Sequence, residues 1–266
     1  MIYFSDLDRT LIYSKKFLKE GLKEVPIEKY EGEYISFMTE KAINLLKEIL
    51  KSKTFIPCTT RSIEQYERIE FKKYNINFPF AIVCNGGYIL HNGEPLKEWE
   101  EILRKELKNN ETLYNVKNEF LKYQDLSGIL KVREVYDLFF YLVVDYYIFK
   151  KEDLIDFENY LIKNNWETHY SGRKIYFLPQ NLKKENAAKF LTQYLGEKDF
   201  YALGDSSMDL NLLKASKKAY IPKDSFLMNA EVNENIFISK NDGLKGLEEI
   251  LENICEIWFC FTNYWK

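Results

Sequence analysis

The sequence predicts an α/β protein in which an α+β unit is inserted into a parallel-sheet core. Short apolar runs alternate with amphipathic helical stretches over residues 1–91 and again over 179–266, as in sheets built from right-handed crossovers. Residues 92–178 instead contain neighbouring strand patterns and two or three helical stretches, as expected of an α+β unit. We therefore expect residues 1–91 and 179–266 to form one core domain, with 92–178 as a cap domain.

The first part of the core is predicted to contain three strands and two helices. The strands are expected at residues 2–5, 54–58 and 80–84, where apolar runs end in polar loops. Thr39 is predicted to cap the first helix, and Ser62 with Gln65 has the capping-box spacing for the second. We expect residues 13–37 to form a loop or short hairpin above the strand ends. Residues 88–96 are predicted to form a hairpin around a type I′ turn at Asn92-Gly93.

The remaining elements are predicted from the same patterns. In the inserted unit we expect helical structure over 97–123, a strand at 138–145, a helix at 152–164 and paired strands within 167–178. In the second part of the core we expect helices at 184–195, from 210 and at 244–257, and strands at 200–203, 219–221 and 236–238.

Composition excludes several classes of partner. The chain has 266 residues, of which 46% are hydrophobic, so it can build a sizeable core. Its net charge of −3 gives no overall positive field for nucleic acid. It contains no apolar run of about 18 residues and no signal-peptide pattern, so no membrane is expected. The four cysteines show no CxxC spacing, which suits a reducing cytoplasm. Nothing in the sequence implies a protein partner.

Carboxylates follow two of the predicted core strands. Asp6 and Asp8 come after the first strand, and Asp205 and Asp209 follow the strand at 200–203. Each pair alone is compatible with a solvated turn or a helix N-terminus. The carboxyl ends of parallel strands meet at one edge of a sheet, however, and two carboxylates 4 Å apart repel by about 4 kcal/mol at an effective dielectric near 20. The pattern therefore predicts a bound divalent cation, Mg²⁺.

Two further polar positions suit the chemistry of phosphoryl transfer. Thr59 follows the second strand, and Lys184 begins a helix. They would stabilise negative charge on phosphoryl oxygens, while Asp6 attacks phosphorus and Asp8 transfers protons. Thr59 alone could cap the next helix, and Lys184 alone could be a solvated lysine. Lys183 is a competing candidate for the phosphate-binding lysine.

These motifs resemble those of a known superfamily. The segments Asp-Leu-Asp-Arg-Thr at 6–10 and Gly-Asp-Ser-Ser-Met-Asp at 204–209, with Thr59 and Lys184 between them, resemble the four motifs of haloacid-dehalogenase-like (HAD) hydrolases. The insertion resembles the C2-type cap of Cof-type and sucrose-phosphate phosphatases. The resemblance implies a Rossmann-like catalytic core and a Mg²⁺-dependent phosphatase acting on a small phosphomonoester such as a sugar phosphate.

The resemblance also implies roles for individual residues. Asp6 would be the nucleophile that becomes an aspartyl-phosphate, and Asp8 the general acid and base. Mg²⁺ would be held by Asp6, the backbone carbonyl of Asp8 and Asp205, with Asp209 as a further ligand or as support for the site.

Residues predicted to bind the substrate lie on both domains. In the core they are Thr60, Arg61 and Asn85. In the cap, the strand pair around residues 171–172 is expected to face the substrate with His169, Tyr170, Arg173 and Lys174. Arg173 would bind a second anionic group if it is not simply a surface arginine.

The chain departs from the pattern of its relatives at Met208, where many carry asparagine, and at Thr60 and Glu185, where they often carry glycine. Met208 and the aromatic C-terminal tail leave open a catalytically weak binding or regulatory protein. A phosphomutase is a further alternative, because it would use an aspartyl-phosphate on the same fold.

Overall fold

The computed structural model describes residues 1–18, 21–227 and 234–262, with side chains described as far as residue 256. The first part of the chain contributes eight strands and two helices. They are β1 (Ile2–Ser5), β2 (Tyr13–Ser14), β3 (Glu24–Tyr30), β4 (Glu33–Thr39), α1 (Glu40–Leu50), β5 (Thr54–Pro57), α2 (Ile63–Glu67), β6 (Phe80–Val83), β7 (Tyr88–His91) and β8 (Glu94–Pro95).

The inserted unit follows, and the chain then returns to the core. The inserted elements are α3 (Lys97–Glu106), α4 (Leu113–Phe120), β9 (Ile129–Val135), β10 (Phe139–Val144), α5 (Ile155–Lys163), β11 (Trp166–Ser171) and β12 (Lys174–Pro179). The returning elements are α6 (Lys184–Tyr194), β13 (Phe200–Leu203), α7 (Leu210–Ala215), β14 (Lys218–Ile221), β15 (Ile236–Ile238) and α8 (Gly243–Thr262).

The core is a five-stranded parallel sheet in the order β15-β14-β13-β1-β5. Its strands come from both ends of the chain, as the sequence predicts. The predicted third strand, β6, is attached less regularly: it pairs antiparallel with β7 and joins the sheet edge through one parallel bridge between Cys58 and Ile82. The fold class, an α/β core with an inserted cap, is confirmed.

Helices cover both faces of this sheet because its strands are apolar on both sides. Tyr3 packs toward α1 and α8, whereas Ile2 and Phe4 lie in the cluster that contains the apolar residues of α6 and α7. The second cluster continues into the cap, where it includes Phe139 and Phe140. The core and the cap are therefore joined by a shared apolar contact.

The cap contains an antiparallel sheet in the order β11-β12-β10-β9. Phe140 of β10 and Phe177 of β12 are buried against Phe120 of α4 and Phe157 of α5. Strand β9 was not predicted from the sequence. It is an edge strand, and most of its residues are exposed, so it lacks the apolar signal of a buried strand.

Most local predictions are confirmed in the described residues. The Thr39 hydroxyl accepts a hydrogen bond from the amide of Ala42, and Ser62 and Gln65 form the reciprocal capping box. Residues 24–39 form a hairpin, β3–β4. The final helix continues to Thr262, beyond the predicted end, and the side chains of its last aromatic residues lie outside the described part.

The domain boundaries after residues 91 and 178 stay predictions. Among the described residues, no helix combines the length and apolar character needed to cross a bilayer.

Candidate active site

Three neighbouring strands and one helix deliver the predicted site residues to one edge of the sheet. β1 is hydrogen-bonded to β13 on one side and to β5 on the other, so the loops that follow these strands are adjacent. Asp6 follows β1, Thr59 follows β5 and Asp205 follows β13, while Lys184 is the first residue of α6. Residues almost 200 positions apart in the chain are thereby brought together, as the motifs predict.

Three carboxylates form a buried cluster at this edge. Asp6, Asp205 and Asp209 each offer an oxygen, and these atoms lie within 4.8 Å of one another. All three residues are buried, so a solvated turn does not describe Asp6. One buried oxygen, Oδ2 of Asp205, has no hydrogen-bond partner. A hard cation bound by oxygen ligands would satisfy that oxygen, so the residues present fit Mg²⁺.

Asp209 is held differently from the other two carboxylates. Its Oδ2 accepts hydrogen bonds from the amides of Asp205 and Ser206 at 3.2 and 3.0 Å, and from the Ser206 hydroxyl at 2.7 Å. Its Oδ1 lies 2.7 Å from Nζ of Lys184. A Cβ at Gly204 would come within 2.5 Å of the Asp209 Cβ, so a glycine is needed for this loop to fold over Asp209. These contacts favour a supporting role for Asp209.

Lys184 is the buried cation of the site. It is only 1% exposed, and its Nζ lies 2.6 Å from Oδ1 of Asp6 in addition to its contact with Asp209. Asn85 and Gly86 position the loop before it. Asn85 donates to the carbonyl of Leu182 at 2.8 Å, and a Cβ at Gly86 would lie 2.5 Å from the Lys183 carbonyl oxygen. Lys184 is therefore not a solvated helix lysine.

The electrostatics of the cluster favour protonation when no cation is bound. Burial raises the pKa of Asp6 to about 7, although Lys184 opposes the shift. Burial and the neighbouring Asp6 raise the pKa of Asp205 to about 8. For Lys184, the carboxylates outweigh the effect of burial and hold its pKa above the ordinary value, so it stays charged.

We predict that the Asp205→Asn variant is more stable than the wild type when both are metal-free. The unfolded carboxyl ionises near pH 4 but the folded one only near pH 8, so its contribution to stability falls as the pH rises through this window. The advantage of asparagine should be absent near pH 4 and reach about 1–3 kcal/mol at pH 8. Urea unfolding in the presence of a chelator measures it. A variant that is less stable at pH 8 would contradict the buried-charge account.

Asp8 is held apart from the carboxylate cluster. Its side chain is 56% exposed and forms a bidentate ion pair with Arg61, with both nitrogen–oxygen distances at 2.8 Å. Partial burial in the cleft acts to raise the pKa of Asp8, but the attraction of the Arg61 guanidinium is stronger. The pKa of Asp8 is therefore below its ordinary value. Arg61, predicted to bind substrate, is thus occupied by protein carboxylates in this state.

A buried glutamate outside the predicted site residues fixes Arg61. Glu28 on β3 is fully buried, and its Oε1 lies 2.8 Å from Arg61 and 3.0 Å from Arg68. The Ser36 hydroxyl donates to its other oxygen at 2.5 Å. The burial of Glu28 could not be predicted from the sequence, because a charged residue in a short hairpin is normally solvent-exposed.

We predict that Glu28→Gln lowers the free energy of unfolding by about 1–3 kcal/mol, because two guanidinium groups lose their shared buried anion. Glu24→Gln, at the exposed start of the same strand, is the matched control and should change stability by less than about 0.5 kcal/mol. Equal effects of the two substitutions in denaturant unfolding would show that the network contributes nothing.

Thr59, Thr60 and Asn85 have different positions at the site. Thr59 is fully buried, and its hydroxyl oxygen accepts from the amide of Arg61 at 3.2 Å, whereas Ser62 caps α2. The capping alternative for Thr59 is therefore wrong. Thr60 lines the cavity beside Asp6. Asn85 is buried, with its side-chain oxygen unpartnered.

A cavity of about 280 Å³ lies between this edge of the core and the cap. Its core lining includes Asp6, Asp8 and Asp205, and its cap lining includes Arg173. Lys174, which the sequence also placed on the cap strands expected to face the substrate, lines it too. The remaining lining residues were not among those predicted: Arg9, Val143, Ser171, Gly172, Tyr176, Ser206 and Met208.

Arg9 has a defined place in this cavity. Its Nε forms an ion pair with Oδ2 of Asp205 at 3.4 Å without a hydrogen bond, and its guanidinium lies over the ring of Phe226 at 4.2 Å. The position is part of the first motif, but the resemblance assigned it no role.

Solved structures of other proteins share this fold. Solved structures that match include the sucrose-phosphatase of Synechocystis sp. PCC6803, determined with sucrose and phosphate, at a TM-score of 0.69 and 15% identity; 96% of this chain and 98% of that chain are covered. A Thermoplasma acidophilum protein matches at a TM-score of 0.65 and 14% identity, over 95% and 97% of the two chains.

A haloacid dehalogenase-like hydrolase from Bacillus subtilis, yhjK, matches at a TM-score of 0.56 and 15% identity, over 96% and 91% of the chains. No family model and no curated protein matches by sequence. The chain therefore has the fold of capped HAD-like hydrolases, which confirms the resemblance at the level of the fold.

Proposed function

We propose that this protein is a phosphatase that hydrolyses a small phosphomonoester through an aspartyl-phosphate on Asp6, with Mg²⁺ as cofactor. The observation that carries the proposal is the buried cluster at the sheet edge. Asp6 lies beside a buried cation, Lys184, and beside Asp205, whose Oδ2 accepts no hydrogen bond and would bind a metal ion. This arrangement combines a nucleophile with groups that stabilise phosphoryl oxygens.

In the first step, the Asp6 carboxylate attacks phosphorus. A bond forms between Asp6 and phosphorus, the bond to the leaving oxygen breaks, and that oxygen takes a proton from Asp8. Lys184 and the Thr59 hydroxyl would stabilise the charge on the phosphoryl oxygens. Because Arg61 favours the ionised form of Asp8, the ion pair between them must open for Asp8 to donate a proton.

In the second step, water attacks the aspartyl-phosphate and Asp8 accepts its proton. Inorganic phosphate leaves and Asp6 is regenerated. The ionised Asp8 favoured by Arg61 suits this step, since it is already competent as a base.

Asp6 and Asp205 would hold Mg²⁺, together with the backbone carbonyl of Asp8, and Asp209 would orient the loop around them. Bound Mg²⁺ would supply positive charge that keeps Asp6 ionised and neutralises phosphoryl oxygens. The hydrogen bonds already made by Asp209 support its assignment as a residue that holds the site together.

The cavity size supports a small substrate. A space of about 280 Å³ accommodates a phosphoryl group and a compact leaving group. The similarity in fold to a sucrose-phosphatase solved with sucrose and phosphate supports a phosphorylated small molecule, with a sugar-like leaving group as the starting hypothesis. We further propose that the protein acts in the cytoplasm.

A phosphatase screen with and without Mg²⁺ tests the proposal. The wild type should release phosphate from a generic phosphomonoester such as p-nitrophenyl phosphate only when Mg²⁺ is present. Bisphosphate-dependent isomerisation without phosphate release would instead indicate a phosphomutase. Binding of Mg²⁺ and phosphate without turnover of any phosphomonoester would indicate a binding protein. Either of these two results would overturn the proposal.

A further inference from the structure

The cap sheet presents one face to the cleft. In its register, Arg133, Tyr141 and Tyr176 lie in one row across β9, β10 and β12. The next row contains Lys131, Val143 and Lys174. Directly paired residues share a face and residues two apart along a strand do so as well, so all six point the same way. We call these six residues the inner face.

The inner face carries cations that form no ion pair within the described part of the protein, although Asp8 acts on Lys174 from a distance. Within the described ranges, Lys131, Arg133 and Lys174 have no carboxylate within ion-pair distance, nor does Arg173 in the adjoining turn. Two other cap lysines are paired with carboxylates, Lys117 with Glu134 and Lys122 with Glu119. The chain as a whole has a net charge of −3, so the positive charge of the inner face is a local feature of the cleft.

The inner face also lines a second cavity that adjoins the phosphoryl site. This cavity measures about 620 Å³ and shares Val143, Arg173 and Lys174 with the cavity beside Asp6. The acidic residue among its lining residues is Glu134, which is engaged by Lys117. A ligand whose phosphoryl group sits at Asp6 would therefore extend toward a positively charged pocket.

The rings of Tyr141 and Tyr176 give this face a rigid floor. Their centroids are 5.1 Å apart, and Nζ of Lys174 lies 5.2 Å from the Tyr141 centroid. Both tyrosines are buried to more than nine-tenths, so the lysine is held over a fixed surface. Like charges gathered on such a surface repel one another, and an anionic ligand would relieve that repulsion.

We propose that the substrate carries a second anionic group besides the phosphoryl group, and that Lys131, Arg133 and Lys174 of the inner face bind it. This inference rests on the proposed function and goes further by specifying that the leaving group is negatively charged. The second group is a carboxylate or a second phosphate. A neutral leaving group would leave the three cations without a carboxylate or phosphate at ion-pair distance.

Two matched pairs of substrates test the charge preference. In the first pair, 3-phosphoglycerate differs from glycerol 3-phosphate mainly by a carboxylate. In the second pair, fructose 1,6-bisphosphate differs from fructose 6-phosphate by a second phosphate. For at least one pair, kcat/KM should be at least about tenfold higher for the more anionic member. The pair that shows the larger ratio identifies the group. Equal or higher values for the less charged members in both pairs would overturn the inference.

The double variant Lys131→Gln/Arg133→Gln assigns the preference to the inner face. Both residues are exposed on an edge strand, so the fold should be unaffected. The variant should lose at least about tenfold in kcat/KM for the preferred anionic substrate and stay within about twofold on p-nitrophenyl phosphate. Lys108→Gln/Lys163→Gln, two exposed cap lysines that line neither cavity, is the control. A preference that survives in the double variant would contradict the assignment.

A binding measurement separates this inference from the proposed function. Calorimetric titration of the four compounds into the Asp6→Asn variant reports affinity without turnover. Anion-selective binding that disappears when Lys131 and Arg133 are also replaced supports the inference even if the wild type hydrolyses nothing. Hydrolysis of p-nitrophenyl phosphate without any charge selectivity in binding or rate would leave the proposed function standing and overturn the inference.

Discussion

The Asp6→Asn variant is expected to lose phosphatase activity by at least about 10⁴-fold while remaining folded. Asparagine has the shape of aspartate but cannot attack phosphorus as a carboxylate. The fold should tolerate it because Lys184 keeps its second partner, Asp209, at 2.7 Å. Steady-state hydrolysis of p-nitrophenyl phosphate measures the loss, and circular dichroism checks the fold.

The control for this substitution is Asp199→Asn. Asp199 lies just before β13, at the opposite end of the strand from Asp205. The side chain of Asp199 is exposed. Its replacement should leave the rate within about twofold of the wild type, because a surface ion pair contributes little. If Asp6→Asn retained more than about a tenth of the activity, another residue would have to be the nucleophile.

The second large effect is expected for Lys184→Met. Methionine fills a similar volume but leaves Asp6 and Asp209 without their shared cation in a buried site. We expect the metal-free protein to lose about 3–5 kcal/mol of unfolding free energy, and the metal-loaded enzyme to lose about 10²–10³-fold in kcat. Denaturant unfolding with a chelator and kinetics with Mg²⁺ measure the two effects separately.

Lys183→Met distinguishes the two candidate lysines. Lys183 precedes α6, is partly exposed and lies 3.8 Å from Glu167. Its replacement should change stability by less than about 0.5 kcal/mol and leave kcat within about twofold. Large effects at Lys183 together with small ones at Lys184 would mean that the phosphate-binding lysine has been assigned to the wrong position.

The sequence carried enough information to predict the core because its strands are buried on both faces. Such strands are short apolar runs, and the polar residues after them mark the sheet edge where a ligand binds. This pattern predicted that the loops after β1, β5 and β13 would be neighbours. The exact hydrogen-bond partners of Asp209 could not be predicted, because they depend on how one loop folds over Gly204.

The cap was less predictable than the core. Most residues of β9 are solvent-exposed, so the sequence does not distinguish Lys131 and Arg133 from ordinary charged surface residues. Whether their side chains lie on the inner face depends on the register in which β9 pairs with β10. An alternation of charged and apolar residues at 130–133 was the available signal.

The network around Glu28 shows a second kind of limit. Arg61 was assigned to the substrate because it follows a core strand, yet here it bridges Asp8 and Glu28. Glu28 lies 33 residues away in the sequence, on a separate hairpin. Contacts between side chains of distant elements leave no local periodicity, so such a pairing is visible only in three dimensions.

The most direct test of the account is to identify the residue that becomes phosphorylated. Wild-type enzyme is quenched during turnover and treated with borohydride, which reduces an aspartyl-phosphate to homoserine, and its peptides are then sequenced by mass spectrometry. We predict homoserine at position 6 in the wild type and none in Asp6→Asn. Homoserine at another aspartate, or turnover without any modified residue, would contradict the central claim that Asp6 takes the phosphoryl group.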